Sequence, residues 1–443
     1  MKTKSKPSVK KFLITSIQYN ATPNRNFLRN IQLFLKENKV DDVYVFVMRG
    51  RYIEEETIHP EIATSDFKFV NGSLKLSSNL RIYDTKILPQ QINPFTGMNK
   101  KLPRNYSYIL PSPKIRYESI AGNSKYPRAF ISTGSLTQPN YKVHTAHGRK
   151  AESQHQYGFV YVEIQDNKVF KAHQIEATKK GDFCYLGKKY HTGNITKEIP
   201  EALILGDWHT GDTDVAIRRE TLRMIDKLQP KRIVFHDFFN GHSINHHTKG
   251  LLLEELRTIQ AKRIGLEDEL KAVFKEMLFF ANKYSDKEII IVRSNHDDFL
   301  DKYIQEKLFM SDYLNFLFIV QLIGKMVDRS AIPLREALSL IGKIPKNVKF
   351  LQVDESLRIQ GVELANHGHL GANGSRGTPA QFNNMNLKAI TAHTHSPKLM
   401  ENGMVVGTST RLRLDYNRGA SSWLNAHGIL YSNGKYGLLP MIK

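Results

Sequence analysis

The chain has 443 residues, 40% of them hydrophobic and 24% charged, which is typical of a globular protein with two or three domains. Its formal net charge of +21 favours a polyanionic partner. No apolar run approaches the ~20 residues of a membrane span and no signal-peptide pattern follows the basic N-terminus, so we expect a cytoplasmic protein without a membrane partner. The single cysteine, Cys184, excludes an internal disulfide and leaves any metal to His, Asp, Glu or Asn.

Residues 1–195 predict a basic α+β domain. The chain opens with a β-α-β pattern in the segments KKFLITSIQ, NRNFLRNIQLFLKENK and DDVYVFVMRG. Residues 85–155 are rich in Pro, Gly, Ser and Asn, a composition typical of long loops and short strands. The segment YGFVYVEIQDNKVFKAHQI alternates as a β-hairpin does, with Asp166 and Asn167 at its turn.

Residues 196–443 repeat the pattern of strand, polar loop and helix. Apolar strands that alternate with helices indicate an α/β layered domain whose helices cover a sheet. Two helical insertions are predicted, over residues 251–283 and 299–343. Their apolar stretches are expected in the core, with a lid or a homo-oligomer interface as the alternatives.

Five strands of this second domain each end in residues of metal-ligand type. Taken alone, any of them is compatible with an ordinary polar turn. In α/β folds, however, ligands bind beyond the carboxyl ends of the strands, so the five ends should converge. Carboxylate, imidazole and amide groups suit divalent ions, and seven donors are about right for two ions that clamp a phosphate. The seven are Asp207, His209, Asp237, Asn295, His367, His393 and His395.

The series GDWH, HD, SNHD, HG and AHTH, spread over residues 200–412, resembles the calcineurin-like metallophosphoesterase family. The pattern of that family is D-x-H, G-D, G-N-H-D/E, H and G-H-x-H. The resemblance implies a calcineurin-like layered sheet sandwich with flanking helices, preceded here by the basic α+β domain. Three supporting positions depart from the pattern, because His236, Ser294 and Ala392 stand where the family has glycine. None of the three is a ligand.

The resemblance also assigns roles to individual residues. It places one metal on Asp207, His209, Asp237 and His395. It places the second metal on Asp237, Asn295, His367 and His393. His296 would protonate the leaving-group oxygen, with Asp298 or Asp297 as the carboxylate that orients it.

Three features favour nucleic acid as the substrate. Residues 1–200 hold about 32 of the 64 basic residues but only about 16 of the 43 acidic ones. Between residues 101 and 130, tyrosines and basic residues are interleaved, as in base-stacking platforms, although a small core of their own is an equal alternative. Polar loops follow Asp237 and His367, and we expect Asn240, His242 and Arg376 in these loops to contact the substrate.

The loop HGHLGANGSRG and the general layout resemble phage-encoded DNA exonucleases and deoxyribonucleases, distant relatives of the Mre11/SbcD nucleases. This resemblance implies a two-metal-dependent phosphodiesterase that acts on DNA in a host cytoplasm. Manganese is the expected metal, with magnesium or zinc as alternatives. A nucleotide or small-substrate phosphodiesterase or phosphatase is one alternative function. A non-catalytic nucleic-acid-binding protein with a retained metal site is another.

Overall fold

The computed structural model describes residues 9–50, 56–167, 169–245, 265–327, 330–385, 387–414 and 417–442, together with residues 253, 256 and 260. Among the helices formed by these residues, none combines the length and the apolarity needed to cross a bilayer. The helices are α1 (Arg25–Asn38), α2 (Pro60–Ala63), α3 (Met98–Lys101), α4 (Ala146–Ser153), α5 (Val215–Leu228), α6 (Leu266–Lys283), α7 (Asp297–Gln305), α8 (Tyr313–Lys325), α9 (Pro333–Ile341) and α10 (Pro379–Asn384).

The strands are numbered in chain order through both halves. They are β1 (Val9–Gln18), β2 (Asp42–Met48), β3 (Lys68–Val70), β4 (Ser73–Lys75), β5 (Leu80–Tyr83), β6 (Ser107–Leu110), β7 (Tyr117–Ile120), β8 (Arg128–Ser132), β9 (Gly158–Gln165), β10 (Val169–Glu176), β11 (Phe183–Tyr185), β12 (Lys188–His191), β13 (Asn194–Lys197), β14 (Ala202–Ile204), β15 (Arg232–Phe235), β16 (Glu288–Ile291), β17 (Val348–Phe350), β18 (Arg358–Ile359), β19 (Val362–Glu363), β20 (Ala389–Thr391), β21 (Lys398–Leu399), β22 (Gly403–Val405), β23 (Ala426–Leu430) and β24 (Tyr436–Pro440).

The N-terminal sheet has the strand order β10-β9-β1-β2-β3. Strands β1 and β2 are parallel and joined by α1, which confirms the predicted β-α-β unit. Strands β9 and β10 form the predicted hairpin. Asp166 and Asn167 lie in its turn and have φ of 50° and 58°, both in the left-handed region that Asn and Asp adopt more readily than most residues.

Helix α1 shows why this half folds as it does. The Asn24 side chain accepts a hydrogen bond from the backbone N–H of Phe27 at 3.1 Å and so caps the helix. Phe27, Ile31 and Phe34 recur at three- and four-residue steps and are buried on one face of the helix. Phe34 meets the Phe159 ring of β9 edge to face, with centroids 5.1 Å apart. The amphipathic helix is therefore docked on the sheet by aromatic packing.

A six-stranded sheet in the order β17-β16-β15-β14-β23-β24 forms the centre of the second half. Its side chains alternate between two cores, as the period of a strand requires. Leu203 and Phe235 pack on the side covered by helices α5 and α6, whereas Ile204 and Val234 pack against the neighbouring large sheet. Helices on one face and a second sheet on the other confirm the layered α/β fold predicted from the sequence.

The neighbouring sheet has ten strands in the order β18-β19-β20-β22-β21-β7-β8-β6-β5-β4 and draws them from both halves of the chain. The seam is the antiparallel pair β7–β21, where Tyr117 faces Leu399 and Glu118 faces Lys398. The sheet thus crosses the expected boundary between residues 1–195 and 196–443. That boundary remains a prediction as a division into folding units.

The aromatic residues between 101 and 130 belong to the core, which overturns their expected role as a stacking platform and favours the alternative of a local core. Tyr108, Tyr117 and Phe130 are buried, and Tyr106 and Tyr126 pack against them or their neighbours. Lys114 is buried as well, and its Nζ donates to the carbonyl of Pro89 at 2.7 Å.

The helical insertions are confirmed in part. The first is helical over α6, while residues 251–252, 254–255, 257–259 and 261–264 of the prediction lie outside the described residues. The second is divided into α7, α8 and α9. In α8, Phe318, Ile319 and Leu322 are buried in the core and the opposite side is exposed.

Candidate metal centre

All seven predicted metal ligands follow strand ends at the edge where the two large sheets meet. Asp207 and His209 follow β14, Asp237 follows β15 and Asn295 follows β16 in the six-stranded sheet. From the ten-stranded sheet, His367 follows β19, and His393 and His395 follow β20. Strands from two sheets therefore deliver these side chains to one place, as the strand-end argument requires.

The first cluster is formed by His209, Asp237, His395 and Asp207, all of them buried. The Nε2 atom of His209 lies 3.5 Å from Asp237 Oδ2 and 3.2 Å from His395 Nε2. His395 Nε2 lies 3.1 Å from Asp207 Oδ2. Ligand atoms of His209, Asp237 and His395 all lie within 4.8 Å of one another, close enough to bind one ion together.

The second cluster contains Asp237 again, together with His367, Asn295 and His393. His367 Nε2 lies 3.3 Å from Asp237 Oδ2 and 2.9 Å from Asn295 Oδ1. His393 Nδ1 lies 3.0 Å from the same Asn295 oxygen. Asp237 thus touches both clusters, in the bridging position that the family resemblance implies for it.

The buried polar atoms of these clusters fit divalent ions. Asp207 Oδ1 and Oδ2, Asp237 Oδ1 and His209 Nδ1 are buried without a hydrogen-bond partner in the described part of the chain. A buried acceptor without a partner costs about 1–3 kcal/mol, and more when it is charged. A cation would satisfy the carboxylates, and a donor set of oxygen and imidazole nitrogen without thiolate suits Mn²⁺, Mg²⁺ or Zn²⁺.

Backbone strain is concentrated at the same residues. Four of the candidate ligands have a positive φ, in the left-handed region that residues with a Cβ rarely adopt. The φ values are 46° for His209, 44° for Asp237, 71° for His393 and 56° for His395. Such conformations cost of order 1–3 kcal/mol each and persist where the surrounding structure demands them. Here each strained residue lies in the loop that follows a strand.

The protonation states show how the centre balances its charge. Burial opposes ionisation of Asp237, but the imidazoles of His367, His296 and His209 outweigh it and hold the pKa of the carboxyl well below its usual value. Burial also opposes the charged form of His367, yet the Asp237 carboxylate outweighs it and raises the pKa of this imidazole to about 9. A bound cation would take the place of that proton.

His296 lies beside the first cluster, with its ring centroid 4.6 Å from that of His209. Its Nδ1 lies 2.6 Å from the backbone carbonyl oxygen of Asn240, so Nδ1–H donates there and Nε2 is left for a substrate. Asp298 is placed elsewhere, 2.9 Å from Arg293 Nη2 and 3.3 Å from His369 Nε2. The carbonyl of Asn240 therefore orients the His296 ring in the way expected of Asp298.

Asp297, the other carboxylate considered for that role, forms no hydrogen bond with His296 in the described part of the chain. Its Oδ2 accepts a hydrogen bond from the backbone N–H of Ser294 at 2.9 Å. Burial raises the pKa of Asp297 to about 7. This carboxyl therefore braces the turn that precedes α7.

The side chains of Asn240 and His242 are brought together by Asp212, which the sequence analysis did not select. Asn240 Nδ2 and His242 Nε2 each lie 2.7 Å from Asp212 Oδ2. Asp212 follows the DWH motif by three residues and resembles an ordinary turn residue there. The signal that could have found it is a second carboxylate in the short stretch GDWHTGD. His246 and His247 of the adjoining loop lie outside the described residues.

Arg376 is exposed on the glycine-rich loop after His367. The loop is closed by two backbone hydrogen bonds, from Gly371 N to the carbonyl of Ser375 and from Gly377 N to the carbonyl of His369, both at 2.7 Å. Trp423 was also not selected from the sequence, although its ring centroid lies 4.1 Å from that of His395. It comes from the loop before β23 and could not be linked to the centre by spacing.

Comparison with known proteins finds a sequence similarity that extends over both halves of the chain. No protein-family model matches the chain. It is 28% identical to Protein A1 of Escherichia phage T5 over 468 aligned residues, which cover 97% of this chain and 81% of that protein.

Two crystal structures of Vps29 from Chaetomium thermophilum, one complexed with a cyclic peptide, show weak structural similarity. Their TM-scores are 0.26 and 0.24, and their sequence identities are 10% and 9%. The similarity covers 43% of this chain and 95% and 94% of the Vps29 chains. Similarity this weak supports no assignment of fold or function to this chain. The fold is therefore described from its own sheets and helices.

Proposed function

We propose that this protein is a calcineurin-like phosphodiesterase that requires two divalent metal ions and cleaves DNA. The observation that carries the proposal is the convergence of the seven donors, five of them buried, into two clusters that share Asp237. Unsatisfied carboxylate oxygens, close imidazole nitrogens and four strained ligand residues occur together only at this edge among the described residues. Strained backbone and unsatisfied buried carboxylates both destabilise the fold, so their concentration at one place indicates a function.

The residues divide the chemistry between them. When bound, the two ions supply positive charge for the phosphate oxygens and make a water molecule a better nucleophile. Asp207, Asp237 and Asn295 would hold those ions. The imidazolium form of His296 would donate its Nε2 proton to the leaving oxygen as the P–O bond breaks, while water oxygen bonds to phosphorus and releases its proton to solvent. The carbonyl of Asn240 keeps the His296 ring in place, because it fixes the proton on Nδ1.

The substrate and the setting are proposed from charge and from the phage relative. The basic surplus of residues 1–200 favours a polyanion such as DNA. Manganese fits a set that mixes oxygen and imidazole donors, since magnesium prefers oxygen alone. Similarity to Protein A1 of phage T5 supports a phage-encoded protein that acts in a host cytoplasm.

The test is digestion of plasmid and linear DNA by metal-stripped protein that is resupplied with manganese, magnesium or zinc. We expect cutting to return with manganese and to be absent from the Asp237→Ala variant. Hydrolysis of a small phosphodiester without DNA cutting would instead establish a nucleotide or small-substrate phosphodiesterase. Metal binding and salt-sensitive DNA affinity without turnover of either substrate would establish a non-catalytic binding protein.

We further propose that the protein self-associates through the exposed side of α8. Tyr313, Leu317 and Val320 of α8 follow the four- and three-residue spacing of a coiled-coil seam, with exposed fractions of 47–90%. A second copy presents the same seam and would cover it. Light scattering should show a dimer that Leu317→Glu converts to monomer. A monomeric unmodified protein at working concentration would overturn this proposal.

A further inference from the structure

A groove of about 490 Å³ lies where the two halves of the chain meet, away from the metal centre. One wall is formed by β9 and β10 of the N-terminal sheet, the other by α5, and the end of β24 closes it. The volume is within the ~300–1,000 Å³ of small-molecule sites in proteins. The groove is thus large enough for a ligand and is formed by three separate elements.

The rim of the groove is positively charged. Arg219, Arg223 and Lys227 recur every four residues on α5, which places them about 6 Å apart along one stripe, and Lys171 of β10 stands across from them. Glu220 lies 3.4 Å from Arg223 and neutralises that one cation. Glu163 of the opposite wall accepts the hydroxyl of Tyr161 at 3.0 Å. Among described carboxylates, none forms an ion pair with Arg219, Lys227 or Lys171.

The floor of the groove is apolar and contains one unsatisfied polar group. Its apolar side chains are Leu186, Ile217, Met224, Leu228 and Leu439. His173 lines the same floor and is 8% exposed. Its Nδ1 is fully buried, so the ring nitrogen that remains for a ligand is Nε2, which forms no hydrogen bond within the described part of the chain. Burial, with a smaller contribution from Lys171, lowers the pKa of His173 to about 4, so the ring is neutral at pH 7. A neutral imidazole offers one hydrogen-bond donor and one acceptor.

We propose that this groove is a second ligand site and that it binds a nucleotide. The apolar floor takes the flat face of the base, His173 Nε2 bonds to a polar edge of the base, and the phosphate lies between Arg219, Lys227 and Lys171. Inorganic phosphate would contact only the cations, and a nucleoside would contact only the apolar floor and His173. The site does not depend on the metal ions.

The groove has a structural connection to the metal centre through α5. Asp214 caps this helix, accepting hydrogen bonds from the backbone N–H groups of Ala216 and Ile217 at 2.8 and 3.1 Å. The cap directly follows the loop that carries Asp207 and His209. A nucleotide in the groove therefore contacts the helix that leaves the metal loop, and it contacts both halves of the chain.

The experiment is calorimetric titration of the full-length protein in EDTA with dAMP, deoxyadenosine and inorganic phosphate. We expect saturable dAMP binding, with the other two at least tenfold weaker. Arg219→Ala/Lys227→Ala and, separately, His173→Phe should each weaken dAMP binding about tenfold. Lys275→Ala, an exposed cation on α6 outside the groove, should leave the affinity unchanged.

Two outcomes would overturn the proposal. One is the absence of saturable dAMP binding, and the other is an unchanged dAMP affinity in both groove variants. The Asp237→Ala variant separates this inference from the proposed function, because it should lose DNA cutting and still bind dAMP. Loss of dAMP binding in Asp237→Ala, with full binding in the groove variants, would place the nucleotide at the metal centre instead.

Discussion

The metal centre and the buried Lys114 of the 101–130 segment both place charged side chains inside the protein, but these side chains differ in their hydrogen bonding. In the segment, buried Lys114 donates to the carbonyl of Pro89, and the tyrosines complete an apolar core. In the metal centre, both carboxylate oxygens of buried Asp207 are without a hydrogen-bond partner in the described structure. Satisfied burial indicates a structural role, whereas unsatisfied burial of several groups together indicates a missing ligand.

The largest expected effect comes from the residue that joins the two clusters. Asp237→Asn removes a charge that both metals need, so DNA cutting should fall by about 10³-fold or more. The metal-free variant should also melt lower than the unmodified protein in EDTA, because it leaves the buried imidazolium of His367 without its carboxylate partner. Rates and melting curves check both points, with exposed Asp286→Asn as the control. A variant with near-normal turnover would contradict the shared-ligand assignment.

The next effect separates proton donation from metal binding. His296→Ala should lower the cleavage rate by about 10²–10⁴-fold and leave manganese binding intact, since His296 is outside the two ligand clusters. The loss should shrink for a p-nitrophenyl ester, whose leaving group needs no proton. Rates on both substrates and manganese titration test this. An equal loss on both substrates would remove the proton-donor role.

The third prediction tests the structural side of the comparison. Burial, then the nearby Arg116, lowers the pKa of Lys114 to about 8 from 10.5, so the folded protein carries a penalty for the charged amine. Each pKa unit corresponds to ~1.4 kcal/mol of stability that the charged amine costs the folded protein. Lys114→Met removes this cost but also removes the hydrogen bond to Pro89, so it should raise the free energy of unfolding by about 2 kcal/mol at pH 7.

The sign of the pH dependence follows from the lowered pKa. Below pH 8 the amine is charged in both states and the full penalty applies. Between pH 8 and 10.5 the folded amine loses its proton while the unfolded amine keeps it, so the unmodified protein gains stability and the advantage of Lys114→Met disappears. Denaturant unfolding at pH 7 and 10.5 measures both. A destabilised variant at pH 7 would show that the hydrogen bond to Pro89 outweighs the burial cost.

The smallest effect concerns exposed cations near and far from the centre. Arg376→Ala should raise KM for DNA several-fold with little change in kcat, because an exposed arginine on the loop that follows His367 should contribute binding more than chemistry. Arg104→Ala, an exposed arginine of the 101–130 segment, is the matched variant. Equal changes in KM for the two would mean that general charge, and not position, governs DNA binding.

The convergence of the seven candidate ligands was predictable from the chain because they follow five short apolar strands, and strand ends in an α/β sheet meet at one edge. The hairpin at Asp166 and Asn167 was predictable for a similar reason, since turn preference and strand alternation are local. Local spacing also placed α1 and the parallel pair that it joins. In these cases residues close in sequence carry the whole signal.

Other features depend on contacts between residues far apart in the chain. The β7–β21 pair joins Tyr117 to Leu399, and that pairing, together with the local packing of Tyr108 and Phe130, puts the aromatic residues in a core and not on a DNA-binding face. Asp212 gained its role only when the loop after β15 brought Asn240 and His242 to it. The contacts between side chains far apart in the chain are set by packing across sheets, so local periodicity and spacing do not specify them.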